Sequence, residues 1–265
     1  MRVIYIGDII GRVGRLAVQR LIPDLRKELA ADVVIANAEN IAHGIGFTSR
    51  TLAEVQAAHI DYFTSGNHAL DKPDALNVLS SGTAPIIRPA NYLAPTAGDG
   101  YRIITVGTYK ILLINLLGRV FMKENVACPF QTFDAILAKQ DLSAVNAVLV
   151  DFHAETTSEK VAFGWHCAGR ASLVVGTHTH VPTADTKVLP GGTAYVTDLG
   201  MVGARDSVIG VVKDAAIQGF ITGTAQKFSM PEKGLVDCNM VLVDINPTTR
   251  QAKAIERIDK LVEIE

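Results

Sequence analysis

The chain alternates between short runs of continuous apolar residues and longer stretches in which apolar positions recur every third or fourth residue. Val3-Ile4-Tyr5-Ile6 is apolar throughout, as expected of a strand covered on both faces. A helical pattern follows over about residues 16–29. Residues 33–36, 62–64 and 85–87 repeat the strand signal. Between them, Thr48 is positioned to cap a helix carrying Glu54, and Asp71, Pro73 and Asp74 suit the first turn of another. Strand and helix in alternation predict a parallel sheet with right-handed crossovers. Beyond a loop at 92–99 the pattern changes. Residues 101–106 and 111–115 flank Gly107-Thr108-Tyr109-Lys110 as an antiparallel hairpin. A longer loop at 117–129 leads to a helix at 130–139, a strand at 147–150, a helix at 158–168 and a strand at 171–175. A second hairpin is predicted at 186–189 and 193–197 around Pro190-Gly191-Gly192, and period-two alternation in 235–244 and 252–258 predicts a closing pair. No repeat, low-complexity tract or Gly/Ser linker interrupts the chain, so one domain over residues 1–265 is expected.

Composition narrows the class. A chain of 265 residues with 48% hydrophobic content and a mean hydropathy of +0.24 can bury a large core. Its formal charge of −2 leaves no basic footprint, so no long nucleic-acid grip is expected. Small anionic substrates stay open, because a bound metal supplies positive charge locally. Cys128, Cys167 and Cys238 are far apart and form no Cys-x-x-Cys, which fits reduced thiols rather than a disulfide frame or zinc ribbon. The first strand meets Asp8 too early for a secretory leader, and no apolar run reaches the length of a membrane span. A soluble, cytoplasmic protein without a membrane partner is expected. Association with further copies of itself is compatible with all of this.

The candidate chemistry sits where the strands end. The run Ala171-Ser172-Leu173-Val174-Val175 delivers Gly176-Thr177-His178-Thr179-His180, and alternate residues of an extended segment present both imidazoles to one point. Taken in order, the strand ends offer Asp8, then Glu39 and Asn40, then Asn67 and His68, then His153, then His178 and His180. In open α/β sheets ligands bind outside these carboxyl ends. Singly, each residue has a plain structural explanation: Asp8 a helix cap, Asn40 and Asn67 turn residues, His68 a loop histidine. Five strand ends terminating in ligand chemistry is not a coincidence of that kind. A dinucleotide fold is disfavoured, since the glycines at 7, 11 and 14 do not give G-x-G-x-x-G and Asp8 would repel a pyrophosphate.

This ordered set resembles the calcineurin-like metallophosphoesterases, and more narrowly their bacterial YmdB-like branch of two-metal phosphodiesterases. The resemblance is carried by Gly7-Asp8, Ala38-Glu39-Asn40 with His43-Gly44, Gly66-Asn67-His68 with Asp71-Lys72, and Arg88-Pro89-Ala90-Asn91. It continues through Asp151-Phe152-His153-Ala154-Glu155, Thr157-Ser158-Glu159-Lys160, Gly176 to His180 and Thr197-Asp198-Leu199-Gly200-Met201. It implies an α/β fold, the metallophosphoesterase-type four-layer α/β/β/α sandwich with mixed sheets. It also implies that Asp8, Asn40 and His180 hold one metal, that Asn67, His153 and His178 hold the other, and that Glu39 bridges. The chain departs from the wider superfamily: Asp8 is followed by Ile9 and Ile10 rather than leading to a histidine, and Glu39-Asn40 stands in place of Gly-Asp.

Elementary chemistry agrees with that division. Two cations about 3.5–4 Å apart need a shared anion, which a carboxylate supplies, and between them they acidify a water to hydroxide near neutral pH. Oxygen and imidazole donors without thiolate suit Fe or Mn, with Zn also tolerated. His68 is expected as general acid toward the leaving oxygen, and Asp71 is the candidate to orient it because Ala69 stands where an acid often does. His43, Arg88 and Arg119 are candidate substrate contacts, Arg170 a weaker one, and His166 beside the only Trp a packing residue. The expected partner is a small phosphodiester, most specifically a 2′,3′- or 3′,5′-cyclic nucleotide. Three alternatives stand beside it: a phosphomonoesterase, a regulatory nucleotide- or metal-binding protein with little turnover, and an amide hydrolase on a (β/α)₈ barrel. The barrel usually brings His-x-His from its first strand, and the hairpins here break its repeat.

Overall fold

The computed structural model describes residues 1–93 and 95–265. Its first part is β1 (Arg2–Ile9), α1 (Gly11–Glu28), β2 (Val33–Asn37), α2 (Ser49–Gln56), β3 (Tyr62–Thr64) and α3 (Pro73–Ser80). The hairpin β4 (Tyr101–Val106) and β5 (Tyr109–Leu117) follows, then α4 (Pro129–Ala138), β6 (Ala147–His153), α5 (Thr157–Cys167) and β7 (Leu173–Thr177). The last part is β8 (Lys187–Leu189), β9 (Thr193–Val196), β10 (Met201–Ala204), α6 (Lys213–Thr222), β11 (Gly234–Ile245) and β12 (Ala252–Ile264).

These strands form two six-stranded mixed sheets, ordered β12-β11-β10-β1-β2-β3 and β4-β5-β6-β7-β9-β8. Strands β1, β2 and β3 run parallel, as do β5, β6, β7 and β9. The long hairpin β11–β12 joins antiparallel, β11 pairing with both β10 and β1. Period two along each strand separates two apolar faces. Val3, Tyr5, Val33 and Ile35 meet Leu113, Leu149, Val175 and Val196 between the sheets. Ile4, Ile6 and Val34 lie on the opposite face under Val13, Val18, Leu52 and Val55 of α1 and α2. Leu112, Ile114, Val148 and Val150 lie under Phe133 of α4 and Phe163 of α5. Both faces of each sheet being covered is why the strand runs are continuously apolar. The result is the expected α/β/β/α sandwich. No helix among the described residues is long and apolar enough to cross a membrane.

The capping residue and the two hairpins behave as the local signals require. The Thr48 hydroxyl accepts the Thr51 N–H at 3.2 Å at the start of α2. Three differences have physical causes. Residues 85–87 make only an isolated bridge between Phe63 and Ile86, because the Arg88 N–H turns away to the Asp99 carbonyl. Helix α1 begins at Gly11 rather than near residue 16, and Gly14 is needed inside it: a Cβ there would lie 2.4 Å from the Val202 carbonyl oxygen. Strand β10 and helix α6 had no signal. The four residues of β10 are held by pairing with β1 and β11, and α6 buries only Ala216.

Phe163 is fully buried, stacked on Phe152 at 4.2 Å between centroids and edge-on to Phe130 and Phe133. Phe163→Ala is expected to lower unfolding free energy by about 3–5 kcal/mol, measured by urea denaturation. A loss below about 1 kcal/mol would mean that the layer between α5 and the second sheet collapses to fill the space.

Candidate metal centre

The carboxyl ends of β1, β2, β3, β6 and β7 meet at one edge of the two sheets, and each carries a donor there. Asp8 is inside β1, at a register shift against β2 between Ile6 and Asp8. Such a bulge re-aims a side chain. Gly7 permits it, since a Cβ at that residue would lie 2.2 Å from the Gly200 carbonyl oxygen. Asn37 ends β2 and turns the chain by accepting the Glu39 N–H on Oδ1 at 3.0 Å. Gly66 follows β3, and a Cβ on it would fall 1.9 Å from Glu39 Oε2 and 2.4 Å from the His153 ring. Asp8, Glu39, Asn40 and His153 are buried, and His178 and His180 partly so.

Four acceptor atoms face one another. His153 Nε2 lies 3.0 Å from Glu39 Oε1, 3.1 Å from Asn67 Oδ1 and 3.0 Å from His178 Nδ1. Beside them, His180 Nε2 is 3.1 Å from the Asn40 carboxamide and 3.8 Å from Asp8 Oδ1. The two ends of a carboxamide are isosteric, so a half-turn of Asn40 presents its oxygen to the same point. The six expected ligands and Glu39 are therefore gathered in two adjoining groups. Glu39, His153 and His178 by themselves bring three ligand atoms within 4.8 Å of one another.

Partners behind the imidazoles decide which nitrogen faces inward. His153 Nδ1–H donates to Thr177 Oγ1 at 2.9 Å, and the Thr177 hydroxyl donates to Asp151 Oδ1 at 2.6 Å. That leaves Nε2 with its lone pair toward Glu39 and Asn67. His178 donates from Nε2 to Glu155 at 3.1 Å, freeing Nδ1. His180 donates from Nδ1 to the Ile209 carbonyl at 2.9 Å, freeing Nε2. Outer hydrogen bonds of this kind hold a ligating imidazole in one tautomer and one orientation. The backbones of His178 and His180 are left-handed, with φ of 98° and 65°. Between them Thr179 donates its N–H and hydroxyl to Asp198 Oδ2 at 3.2 and 2.8 Å, and Asp198 is paired with buried Lys160 at 2.6 Å.

Burial sets the electrostatics of this group. Burial, then the neighbouring charges of Glu39 and Asp198, hold the Asp8 carboxyl well above its ordinary range. Burial also raises Glu39. Burial depresses His153 and His180 and brings His178 down to about 3, with His153 the second cause there. Among the described residues, Asp8 Oδ1 is buried without a hydrogen-bond partner. A divalent cation reconciles all of this, because it draws on charged carboxylates and neutral imidazoles alike. The donor set fits such ions.

Other expected residues are placed differently. His68 joins the group through its backbone, donating N–H to Glu39 Oε2 at 3.3 Å, and its Nδ1 is 2.7 Å from Asp71 Oδ2. Arg119 and His43 are exposed on loops that follow β5 and Asn40. Arg88 corrects the expectation of a substrate contact: its guanidinium is spent on the carbonyls of Pro89, Thr96 and Ala97. Arg170 is likewise diverted, to Asp134, which also holds His166. Asn37, Asp151, Thr177, Glu155 and Lys160 were missed as site residues. Asp151 had a usable signal, since a carboxylate in a buried apolar strand cannot be left unpaired.

The YmdB-like protein family model matches residues 4–258. The chain belongs to this family. A 2′,3′-cyclic-nucleotide 2′-phosphodiesterase of Bacillus subtilis (strain 168) is 38% identical over 258 residues, covering 97% of this chain and 96% of that one. Among solved structures, a hypothetical protein from Thermus thermophilus is 37% identical to this YmdB-like chain with a TM-score of 0.91, covering 100% of both chains. A structure from Mycoplasma pneumoniae described as a novel phosphatase is 33% identical with a TM-score of 0.91, covering 100% of this chain and 94% of that one.

The depressed His178 has a consequence for stability. The folded protein keeps this ring neutral at pH values where the unfolded chain takes up a proton. Its contribution is therefore complete above about pH 6.5 and is lost as pH falls from there toward about 3. The stability gap between wild type and His178→Gln, measured by urea denaturation in chelator, is expected to shrink on going from pH 7 to pH 5. The limit is about 1.4 kcal/mol per pH unit for one proton. A gap that does not change with pH would show that this imidazole is solvated.

Proposed function

We propose that this YmdB-like protein is a hydrolase of phosphate esters that cleaves small cyclic phosphodiesters with two divalent cations. Fe or Mn fits the donors best, and Zn is tolerated. One cation is assigned to Asn67, His153 and His178 and the other to Asp8, Asn40 and His180, with Glu39 shared. The observation that carries the reading is the meeting of four donor atoms at His153 Nε2, Glu39 Oε1, Asn67 Oδ1 and His178 Nδ1, with the outer hydrogen bonds of both imidazoles leaving their inward nitrogens as lone pairs. When bound, the two ions supply Lewis-acid polarisation of the phosphate and acidify the attacking water. The likeness to the Bacillus subtilis enzyme supports 2′,3′-cyclic nucleotides ahead of the 3′,5′ isomers. Phosphomonoesters are a second reading, favoured by the Mycoplasma pneumoniae protein being described as a phosphatase.

The protein's own residues divide the remaining work. His153, His178 and His180 stay neutral in their dry surroundings and keep fixed tautomers. His68 is assigned as general acid: Asp71 holds Nδ1 and leaves Nε2 to protonate the departing alkoxide. Removing the shared anion tests the ligand assignment. Glu39→Gln is expected to lower the occupancy of both metals by elemental analysis and to reduce activity with them. Two metals and full activity in that variant would refute the bridge.

The acid role is separable from ligation. His68→Ala is expected to retain both metals and lose about a hundred- to ten-thousandfold in kcat on a 2′,3′-cyclic nucleotide. The loss should be smaller on bis-p-nitrophenyl phosphate, whose phenolate leaves with little help. Equal losses on good and poor leaving groups at full metal occupancy would reassign His68 to phosphate binding, and a lost metal would make it a ligand.

A further inference from the structure

The loop between β5 and α4, residues 118–128, is rooted on the candidate metal centre at both ends. At its start the Gly118 N–H donates to the His153 carbonyl at 2.9 Å, and a Cβ on Gly118 would sit 2.5 Å from Ala154 Cβ. Near its end Val126 bridges to Tyr92, whose hydroxyl donates to the carbonyls of Gly66 and Asn67, both at 3.3 Å. Buried Asn91 closes the loop across its base. Its Nδ2 donates to the carbonyls of Leu117 and Ala127 at 2.7 and 2.9 Å, and its Oδ1 accepts the Leu117 N–H at 2.8 Å. The Glu159 carboxylate accepts the N–H groups of Arg119 and Val120 at 3.0 and 3.1 Å. Loops closed and framed in this way are commonly functional.

What the frame presents is Phe121. The residue is 86% exposed, and its backbone is left-handed with φ of 63°. Glycine and asparagine take that conformation readily and a phenylalanine does not. An exposed ring in a strained position gives nothing to the core, so its use lies outside the fold. Two residues back on the same loop, the Arg119 guanidinium has no hydrogen-bond or ion-pair partner among the described residues. We infer that Phe121 is a stacking platform for the nucleobase of the substrate, at the rim of the site that holds the phosphate. This rests on the cyclic-phosphodiesterase reading above. Every base has a π face, so the ring favours nucleotides over base-free diesters and is tolerant of which base it meets.

The test compares adenosine 2′,3′-cyclic phosphate with glycerol 1,2-cyclic phosphate, which has the same five-membered diester and no base, on the metal-loaded full-length protein. Phe121→Ala and Phe121→Gly are expected to raise KM for the nucleotide roughly five- to a hundredfold. Their kcat and their KM for the glycerol diester should stay at wild-type values, and Phe121→Trp should keep the nucleotide KM low. Phe121→Gly should also raise Tm, since it relieves the positive φ while losing the ring. An unchanged nucleotide KM, or equal rises for both diesters, overturns the inference. So does a fall in solution mass with KM unchanged, which would assign the ring to a contact between copies of this chain. Wild type that cleaves neither diester removes the phosphodiesterase reading itself. Wild type that cleaves both, with Phe121→Ala indistinguishable from it, removes the platform alone.

Discussion

The Asp151 carboxylate ties the two sheets together at the point where the candidate site is built. It is fully buried on β6 of one sheet and accepts hydrogen bonds from Thr64 and Asn37 of the other, as well as from Thr177 beside it. Tyr5 extends the network by donating to Thr64 Oγ1 at 3.2 Å. Burial raises the Asp151 carboxyl to about 6 while those three donors pull it back. A charge in this position is tolerable only because it is almost fully hydrogen-bonded. Two consequences reach the chemistry. Through Thr177 the carboxylate fixes the His153 tautomer, and through Asn37 it holds the turn that carries Glu39. One side chain thus links the two sheets and fixes the aim of two candidate ligands.

A second anchor acts on the last two histidines. Asp198 accepts from Lys160, Thr179 and Gly200, and its own N–H donates to Thr183. The positive φ values of His178 and His180 are unfavourable for a side chain with a Cβ and persist where the surroundings over-determine them. Asp198 and Thr179 provide that surplus, with the Lys160 ammonium balancing the buried charge. The Gly200 carbonyl in turn accepts the Asp8 N–H at 3.2 Å. Strain at the histidines and the position of Asp8 are therefore linked through one loop.

The arrangement divides the interior in two. Between and outside the sheets the chain buries aliphatic side chains that need no partners. At the carboxyl ends of the strands it concentrates carboxylates and imidazoles whose charged forms burial disfavours, shifting the carboxyls up and the imidazoles down. A divalent cation would oppose the first shift and use the second, because it draws on charged carboxylates and neutral imidazoles. The loop that carries Arg119 and Phe121 is rooted beside this edge, and both side chains are exposed on it.

Much of this was legible without coordinates. Continuous apolar runs marked strands covered on both faces, Thr48 marked a helix start, and the residues that terminate the runs named every member of the candidate ligand group. These signals are local: they depend on side-chain polarity and on period two or 3.6, which the chain carries wherever it is folded. Other features had no local cause. Met201–Ala204 is a strand only because β1 and β11 flank it, and residues 85–87 are not one because Arg88 turns to Asp99. The guanidinium of Arg88 looked available for phosphate until the loop at 89–97 closed over it. Nor does Phe121 differ on paper from any core phenylalanine; its positive φ and exposure follow from Asn91 and Glu159, respectively 30 and 38 residues away. The amino-acid order by itself determined which residues could bind a metal and which stretches would be strands. Their tautomers, their mutual distances and the orientation of the rim were decided by the packing of two sheets against each other, because hydrogen bonds between residues remote in sequence form only in the folded chain.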